Sequence, residues 1–279
     1  MEYKALYFKL KENSSTLNEI IIAELYSIGF EGFLETEKGV VGYIPAKDYD
    51  KTRLKKTNFY NNPLFKKMVI KEEFILERNW NELWENNYEP VFINNQCCIK
   101  APFHKNVSKY KYEILIEPKM SFGTGHHETT SLMIEEILEL NVEEKTVLDM
   151  GCGTGILAIL ASKKGAEHVT AIDINEWAYE NTIENCRKNN IDNVSIQKGD
   201  ANLITNKRFD IILANIQRNI LIHDTNIYQS ALKPDGLLIM SGINKSDLPE
   251  IEKECFKYSL KYVSFKEKNN WVSVKFRKI

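Results

Sequence analysis

The run Thr146 to Asp173, TVLDMGCGTGILAILASKKGAEHVTAID, constrains this chain more than any other stretch. An apolar strand ends at Asp149, and a glycine-rich turn follows at Gly151-Cys152-Gly153-Thr154-Gly155. An apolar-striped helix then carries Ile156, Leu157, Ile159 and Leu160, and a second strand from Val169 to Ile172 ends in Asp173. The spacing of apolar residues changes from strand to helix and back, which predicts a βαβ unit and hence an α/β layer fold. The glycines fall where strand turns into helix. There the turn is tight and a ligand must approach bare backbone. Free N–H groups at the helix start point at that ligand. Asp173 follows the first glycine by about twenty residues, the place from which an acid accepts hydrogen bonds from ribose hydroxyls.

The glycines read G-C-G-T-G, with no third glycine where a dinucleotide fingerprint puts it. Asp149 stands two positions before the first glycine. A carboxylate there suits an amino-acid ammonium group and repels a pyrophosphate. The pattern fits S-adenosylmethionine better than NAD. In this it resembles the class I methyltransferases. The resemblance implies that the turn holding Gly151 and Gly153 takes the methionine part and that Asp173 takes the ribose. Gln197-Lys198-Gly199-Asp200-Ala201 ends a third strand and resembles the family's third motif, near the adenine. Phe209 to Ile216 reads as a fourth strand ending at Asn215, where amino-group methyltransferases place an Asn or Asp facing the transferred methyl. The sequence here is Asn-Ile rather than Asn-Pro-Pro-Tyr. A plain strand-end turn residue is the competing reading of Asn215.

The balance of 37 basic and 39 acidic residues gives no global drive toward nucleic acid or membrane. No apolar run reaches the roughly 18 residues of a spanning helix. The first ten residues alternate and lack a signal-peptide core. Five cysteines, an odd number without a C-x-x-C pair, fit a reduced cytoplasmic protein. Vicinal Cys97 and Cys98 have no resolving partner. Paired His126 and His127 lack metal-ligand spacing, so no metal is expected.

Upstream, Tyr3 to Leu10 alternates as a strand. Thr16 and Glu19 suit a capping box before a helical stripe of Leu17, Ile20, Ile21, Leu25 and Ile28, with Gly29 as its stop. Strands over Phe30 to Thr36 and Val40 to Ile44 flank a hairpin turn, a polar helix is expected over Lys47 to Asn58, and a closing strand over Lys67 to Leu76. This β-α-β-β-α-β order is ferredoxin-like. The expected organisation is a small α+β domain over 1–77, a linker helix over 78–90 bearing Trp80, Leu83, Trp84 and Tyr88, and the larger domain over 91–279. Thr129 or Thr130 is expected to cap a helix from Leu132 to Leu140. After the fourth strand, a helix over Asn219 to Leu232, a turn at Lys233 to Gly236, a strand over Leu237 to Met240 and a helix over Leu248 to Tyr258 are expected. Leu260 to Phe265 and Trp271 to Phe276 should then form an antiparallel edge hairpin.

The loop Phe122-Gly123-Thr124-Gly125-His126-His127-Glu128-Thr129-Thr130, about twenty residues before the glycine turn, makes the resemblance specific. It is similar to the PrmA family, bacterial methyltransferases of protein eleven of the large ribosomal subunit. The resemblance covers almost the whole chain. It implies a class I methyltransferase (Rossmann-like) fold, a mostly parallel sheet with an antiparallel edge hairpin, beside the small N-terminal domain. It implies S-adenosyl-L-methionine as cofactor, with Thr130, Gly151, Gly153, Asp173 and Asn215 around it and Asn215 beside the methyl donor. It also implies a monomer whose N-terminal domain holds a ribosomal protein substrate, with no direct contact to nucleic acid. The sequence departs from the family at His127-Glu128, where His-Pro is common. Rival readings are a methyltransferase of RNA or of a small amine, an NAD-dependent oxidoreductase, and a binding module without catalysis.

Overall fold

The structure is a computed structural model; it describes residues 2–10, 14–62, 65, 68–75, 88–104, 110–119 and 121–279. The chain divides between Tyr88 and Glu89 into two compact units. The linker helix expected around Trp80, Leu83 and Trp84 lies outside the described residues.

The first unit runs β1 (Tyr3–Lys9), α1 (Ser15–Ser27), β2 (Gly32–Thr36), β3 (Gly39–Pro45), α2 (Lys51–Lys55), α3 (Asn58–Asn61) and β4 (Val69–Ile75). Its sheet has the order β2-β3-β1-β4 with every pairing antiparallel, the ferredoxin-like arrangement. Leu6 and Phe8 of β1, Ile21 and Leu25 of α1, and Leu54 and Phe59 of the short helices share one buried core. Three local expectations are corrected. The cap of α1 is Ser14, not Thr16: its extended backbone lets Oγ accept the Leu17 N–H at 3.3 Å. Ile20 is exposed rather than part of the inner stripe, and Asn18 is buried in its stead. The single polar helix is two pieces, because Thr57 is extended and its hydroxyl donates to the Leu54 carbonyl at 2.7 Å.

In the second unit, β5 (Val91–Ile93), β6 (Cys97–Lys100) and β7 (Tyr112–Leu115) form a small sheet. The main sheet has seven strands in the order β10-β9-β8-β11-β12-β14-β13. Here β8 is Thr146–Met150, β9 His168–Asp173, β10 Val194–Lys198, β11 Phe209–Asn215, β12 Leu232–Asn244, β13 Leu260–Lys268 and β14 Trp271–Lys278. The pairings from β10 to β12 are parallel, whereas β14 is antiparallel to both β12 and β13. The β13–β14 turn falls at Asn269 and Asn270, both at positive φ, the backbone a tight hairpin needs. Helices α4 (Glu128–Glu139), α5 (Ile156–Lys163), α6 (Glu176–Lys188), α7 (Arg218–Ala231) and α8 (Leu248–Lys257) complete the unit.

Strands covered on both faces read as continuous apolar runs. Accordingly Val147 and Leu213 enter one buried cluster, while Leu148, Met150, Ile212 and Ala214 enter the other. Strand β12 begins earlier than expected. It runs through Lys233 to Gly236, and a register shift against β11 with Asp235 at φ +60 absorbs the turn residues. The chain winds from β8 outward to β10, then crosses back to β11 on the other side of β8. That reversal opens a crevice at the carboxyl ends of β8 and β11, where open α/β sheets bind ligands.

Candidate active site

A cavity of about 610 Å³ lies at that reversal, within the size range of small-molecule and cofactor sites. Gly151 and Gly153 line it from the end of β8, Asp173 from the end of β9, Gly199 to Ala201 from beyond β10, and Asn215 from the end of β11. The sheet thus brings four sequence-predicted residues, Gly151, Gly153, Asp173 and Asn215, to one space.

The glycine turn is held by close backbone contacts. Gly151 has φ +71, and a Cβ there would stand 2.2 Å from Ile216 Cγ2. Gly153 has φ +57, and a Cβ there would stand 2.3 Å from the Phe122 carbonyl oxygen. Only glycine fits both positions. The Gly151 and Cys152 N–H groups donate to the Ile172 carbonyl at 2.8 and 3.0 Å, which ties the turn to β9. From the other side, Thr182 Oγ1 donates to the Gly153 carbonyl at 3.0 Å and Asn185 Nδ2 to the Thr154 carbonyl at 2.9 Å.

Asp173 is oriented by two backbone donors. Its Oδ2 accepts the Gly153 N–H and its Oδ1 the Asn175 N–H, each at 2.9 Å. A carboxylate has about four acceptor directions, so capacity remains for ligand hydroxyls. Ile174, next in sequence, lines the cavity and is 72% exposed, an apolar surface without a cover. Asn215 carries a buried side-chain oxygen with no hydrogen-bond partner. Such an atom costs free energy unless something bonds to it.

Asp149 does not line the cavity. It is fully buried in β8, and its Oδ2 accepts the Ala158 N–H at 3.0 Å while its Oδ1 has no partner. Gly155, the N-cap of α5, has no side chain, so Asp149 supplies the acceptor that a capping residue ordinarily would. Burial pushes its carboxyl up to about 7; the Ala158 N–H opposes the rise and the Asp173 carboxylate adds to it. Thr130 is also fully buried, with its hydroxyl oxygen unpartnered, and it is Thr129 that lines the cavity.

Neither threonine caps α4. The helix begins at Glu128 and its cap is His127, whose Nδ1 accepts the Thr129 N–H at 3.2 Å. The same ring lies edge-on between Phe122, with centroids 5.3 Å apart, and Trp271, at 4.9 Å. All three rings line the cavity. The loop before α4 is pinned to the glycine turn. Thr154 Oγ1 donates to the Gly123 carbonyl at 2.6 Å, and the Thr154 N–H donates to the Phe122 carbonyl at 2.9 Å.

The family model described as "Ribosomal protein L11 methyltransferase (PrmA)" matches residues 8–279. The chain belongs to the PrmA family. It is 44% identical over 280 residues to the ribosomal protein L11 methyltransferase of Phocaeicola vulgatus, covering 99% of each chain. It is 34% identical over 275 residues to the same-named protein of Chlorobaculum parvum, covering 94% of this chain and 93% of that one. Among solved structures, the ribosomal protein L11 methylase of Lactobacillus delbrueckii subsp. bulgaricus is 32% identical. It covers 69% of this chain and 100% of its own, with a TM-score of 0.64. The larger unit has the class I methyltransferase fold.

Several lining residues of this PrmA chain escape a sequence reading. Trp271 enters from the edge hairpin, more than 100 positions from the glycine turn in sequence. Gln217, the N-cap of α7, and Ile220 and Asp224 within it enter from that side, and Gly242 from β12. The available signals were the glycine after the Leu237 to Met240 run and the four-residue spacing of Ile220 and Asp224. Neither signal names a ligand.

Proposed function

We propose that this chain transfers methyl groups from S-adenosylmethionine to amino groups of ribosomal protein L11, with the cavity at the ends of β8 and β11 as the cofactor site. The chain is a methyltransferase by family. The observation that carries the site assignment is the buried, unpartnered side-chain oxygen of Asn215 at the cavity wall beside the glycine turn. A neutral amine is the chemistry that oxygen lacks: an N–H donor whose lone pair, once the N–H is held, points elsewhere.

When bound, the cofactor supplies a methyl on a sulfonium, whose S–C bond breaks with its electron pair returning to sulfur as the N–C bond forms. Gly151 and Gly153 offer bare backbone to the methionine part, and Asp173 accepts from the ribose hydroxyls. The hydroxyl of Thr130 is buried without a partner next to Thr129, which lines the cavity. Asn215 Oδ1 accepts an amine N–H and aims the nitrogen at the methyl, so catalysis is mainly positioning and exclusion of water. An N-terminal amine, with a pKa near 7.7–8.0, is partly neutral at cell pH, whereas lysine near 10.4 must first lose its proton. Water takes the proton that the product ammonium releases. The first unit, with no catalytic constellation among its described residues, holds the protein substrate.

The test is transfer of label from S-adenosylmethionine to L11 purified from a source that lacks the modification. Asn215→Ala should lower turnover by about a hundredfold with only a moderate loss of cofactor affinity. Tight cofactor binding without any label transfer would replace the enzyme by a binding module. Undiminished turnover in the variant would remove Asn215 from the chemistry.

A further inference from the structure

Residues Leu115 to Lys119 lead from β7 toward the loop that walls the cavity, and they run beside α6. Asn181 and Asn185 of α6 and Asn189, its C-cap, recur every four residues and so lie along one side of the helix. All three are buried. They replace a neighbouring β-strand. Asn189 brackets Leu115: its Oδ1 accepts the Leu115 N–H at 2.9 Å and its Nδ2 donates to the Leu115 carbonyl at 2.7 Å. Asn185 Oδ1 accepts the Glu117 N–H at 2.9 Å. Asn181 Nδ2 donates to the Glu117 carbonyl at 3.4 Å. Its Oδ1 is buried and has no partner.

The register of this ladder follows from two repeats. Alternate residues of an extended chain present their N–H and C=O to the same edge, about 6.6 Å apart. Four residues of α-helix rise about 6 Å. Odd-numbered residues of the segment therefore meet successive asparagines, running antiparallel to the helix: Leu115 with Asn189, Glu117 with Asn185, and next Lys119 with Asn181. Pro118, which has no N–H, falls at an even position facing away and leaves the ladder intact. The Lys119 side chain already lies along this helix, paired with Glu184, which also pairs with Lys188 at 3.1 Å.

We propose that Asn181 is a positioning residue for the methyl-transfer site: with cofactor bound, its Oδ1 accepts the Lys119 backbone N–H and closes the last rung of the ladder. Lys119 stands two residues before Ser121 and three before Phe122, which line the cavity. The Ser121 hydroxyl donates to the Trp177 carbonyl of the same helix at 3.4 Å. Closing the rung fixes this wall from the α6 side, as the Thr154 N–H fixes it from the glycine turn. The inference rests on reading the cavity as the cofactor site.

Backbone amide exchange of the full chain, with and without S-adenosylhomocysteine, tests it. In the wild type, the ligand should slow exchange at Lys119 by about tenfold or more. In Asn181→Ala that protection should vanish, while Leu115 and Glu117 keep theirs, which shows that the fold and the lower rungs stand. The KM for S-adenosylmethionine should rise about five- to tenfold, the loss of one buried hydrogen bond, and kcat should change less. Ligand binding without added protection at Lys119 overturns the inference alone, as does protection that survives in Asn181→Ala. A wild type that fails to bind the ligand overturns the cavity reading and this inference together.

Discussion

Replacing Asp149 by Asn probes the buried carboxyl that serves α5 as its cap. The carboxyl is fully buried, its Oδ2 holds the Ala158 N–H, and burial raises it from 3.8 to about 7. Between those two values the unfolded chain is ionised while the folded chain keeps the proton. Stability therefore declines as pH rises through this window, is fully present below the unfolded value, and levels off above the folded one. At 1.36 kcal/mol for each pH unit, the whole window amounts to about 4 kcal/mol, of which about 2 kcal/mol is lost between pH 5.5 and 7.5. Asn has the same shape, retains an oxygen for Ala158 and does not titrate. The difference in stability between the Asp149→Asn variant and wild type should thus grow in favour of the variant by about 2 kcal/mol over those two pH units. Titrating groups that do not interact with Asp149 contribute equally to both chains and cancel. Urea unfolding of the second unit, followed through protection of amides on β8 and β11 at several pH values, gives the difference directly. Parallel curves for the two chains, or a difference that grows as pH falls, would refute the reasoning.

Gly153→Ala should weaken cofactor binding by more than tenfold with the fold kept. Its Cβ would stand 2.3 Å from the Phe122 carbonyl oxygen, and a left-handed alanine costs about 1–2 kcal/mol besides; titration with S-adenosylhomocysteine and a thermal melt separate the two effects. Glu136, fully buried on α4, pairs with Lys275 of β14 at 2.6 Å. Glu136→Ala should cost about 3–5 kcal/mol and the double change with Lys275→Met much less, measured by thermal unfolding, because only the single change leaves a buried charge uncompensated. The five cysteines are free and buried, with Cys97, Cys186 and Cys255 pushed up to about 12 by burial. Alkylation at pH 8 should be slow in the native chain and complete within minutes in urea; a rapidly labelled native cysteine would contradict the burial.

What the sequence made legible and what it hid divide along a physical line. Strand β8, the glycine turn, α5 and β9 are consecutive. The period of their apolar residues and the backbone demands of their glycines are local properties, so Gly151, Gly153 and Asp173 could be placed before any packing was known. Asn215 needed one more step, because it matters only once β11 is known to pair with β8 rather than with β10. The caps were misplaced for a different reason. Ser14 and Thr16 are equal candidates on composition, and backbone torsion decides between them; His127 caps α4 although histidine is not among the usual capping residues. Asp149 shows the limit most plainly. A carboxylate two residues before a glycine turn suggests a ligand's ammonium, but the left-handed Gly155 leaves α5 without a side-chain cap and the acid is turned inward to supply it. The asparagine ladder on α6 could not be read at all from residue types, since a helix face of Asn at every fourth position is a poor helix former with no evident purpose. Its purpose lies in an extended segment more than sixty positions away, whose Leu115 and Glu117 N–H groups are met by asparagine side chains. The local rules thus locate the glycines and the acid that line the cavity, while the groups that hold them in place are those whose hydrogen-bonding needs are met across the fold, and those groups break the local rules for that reason.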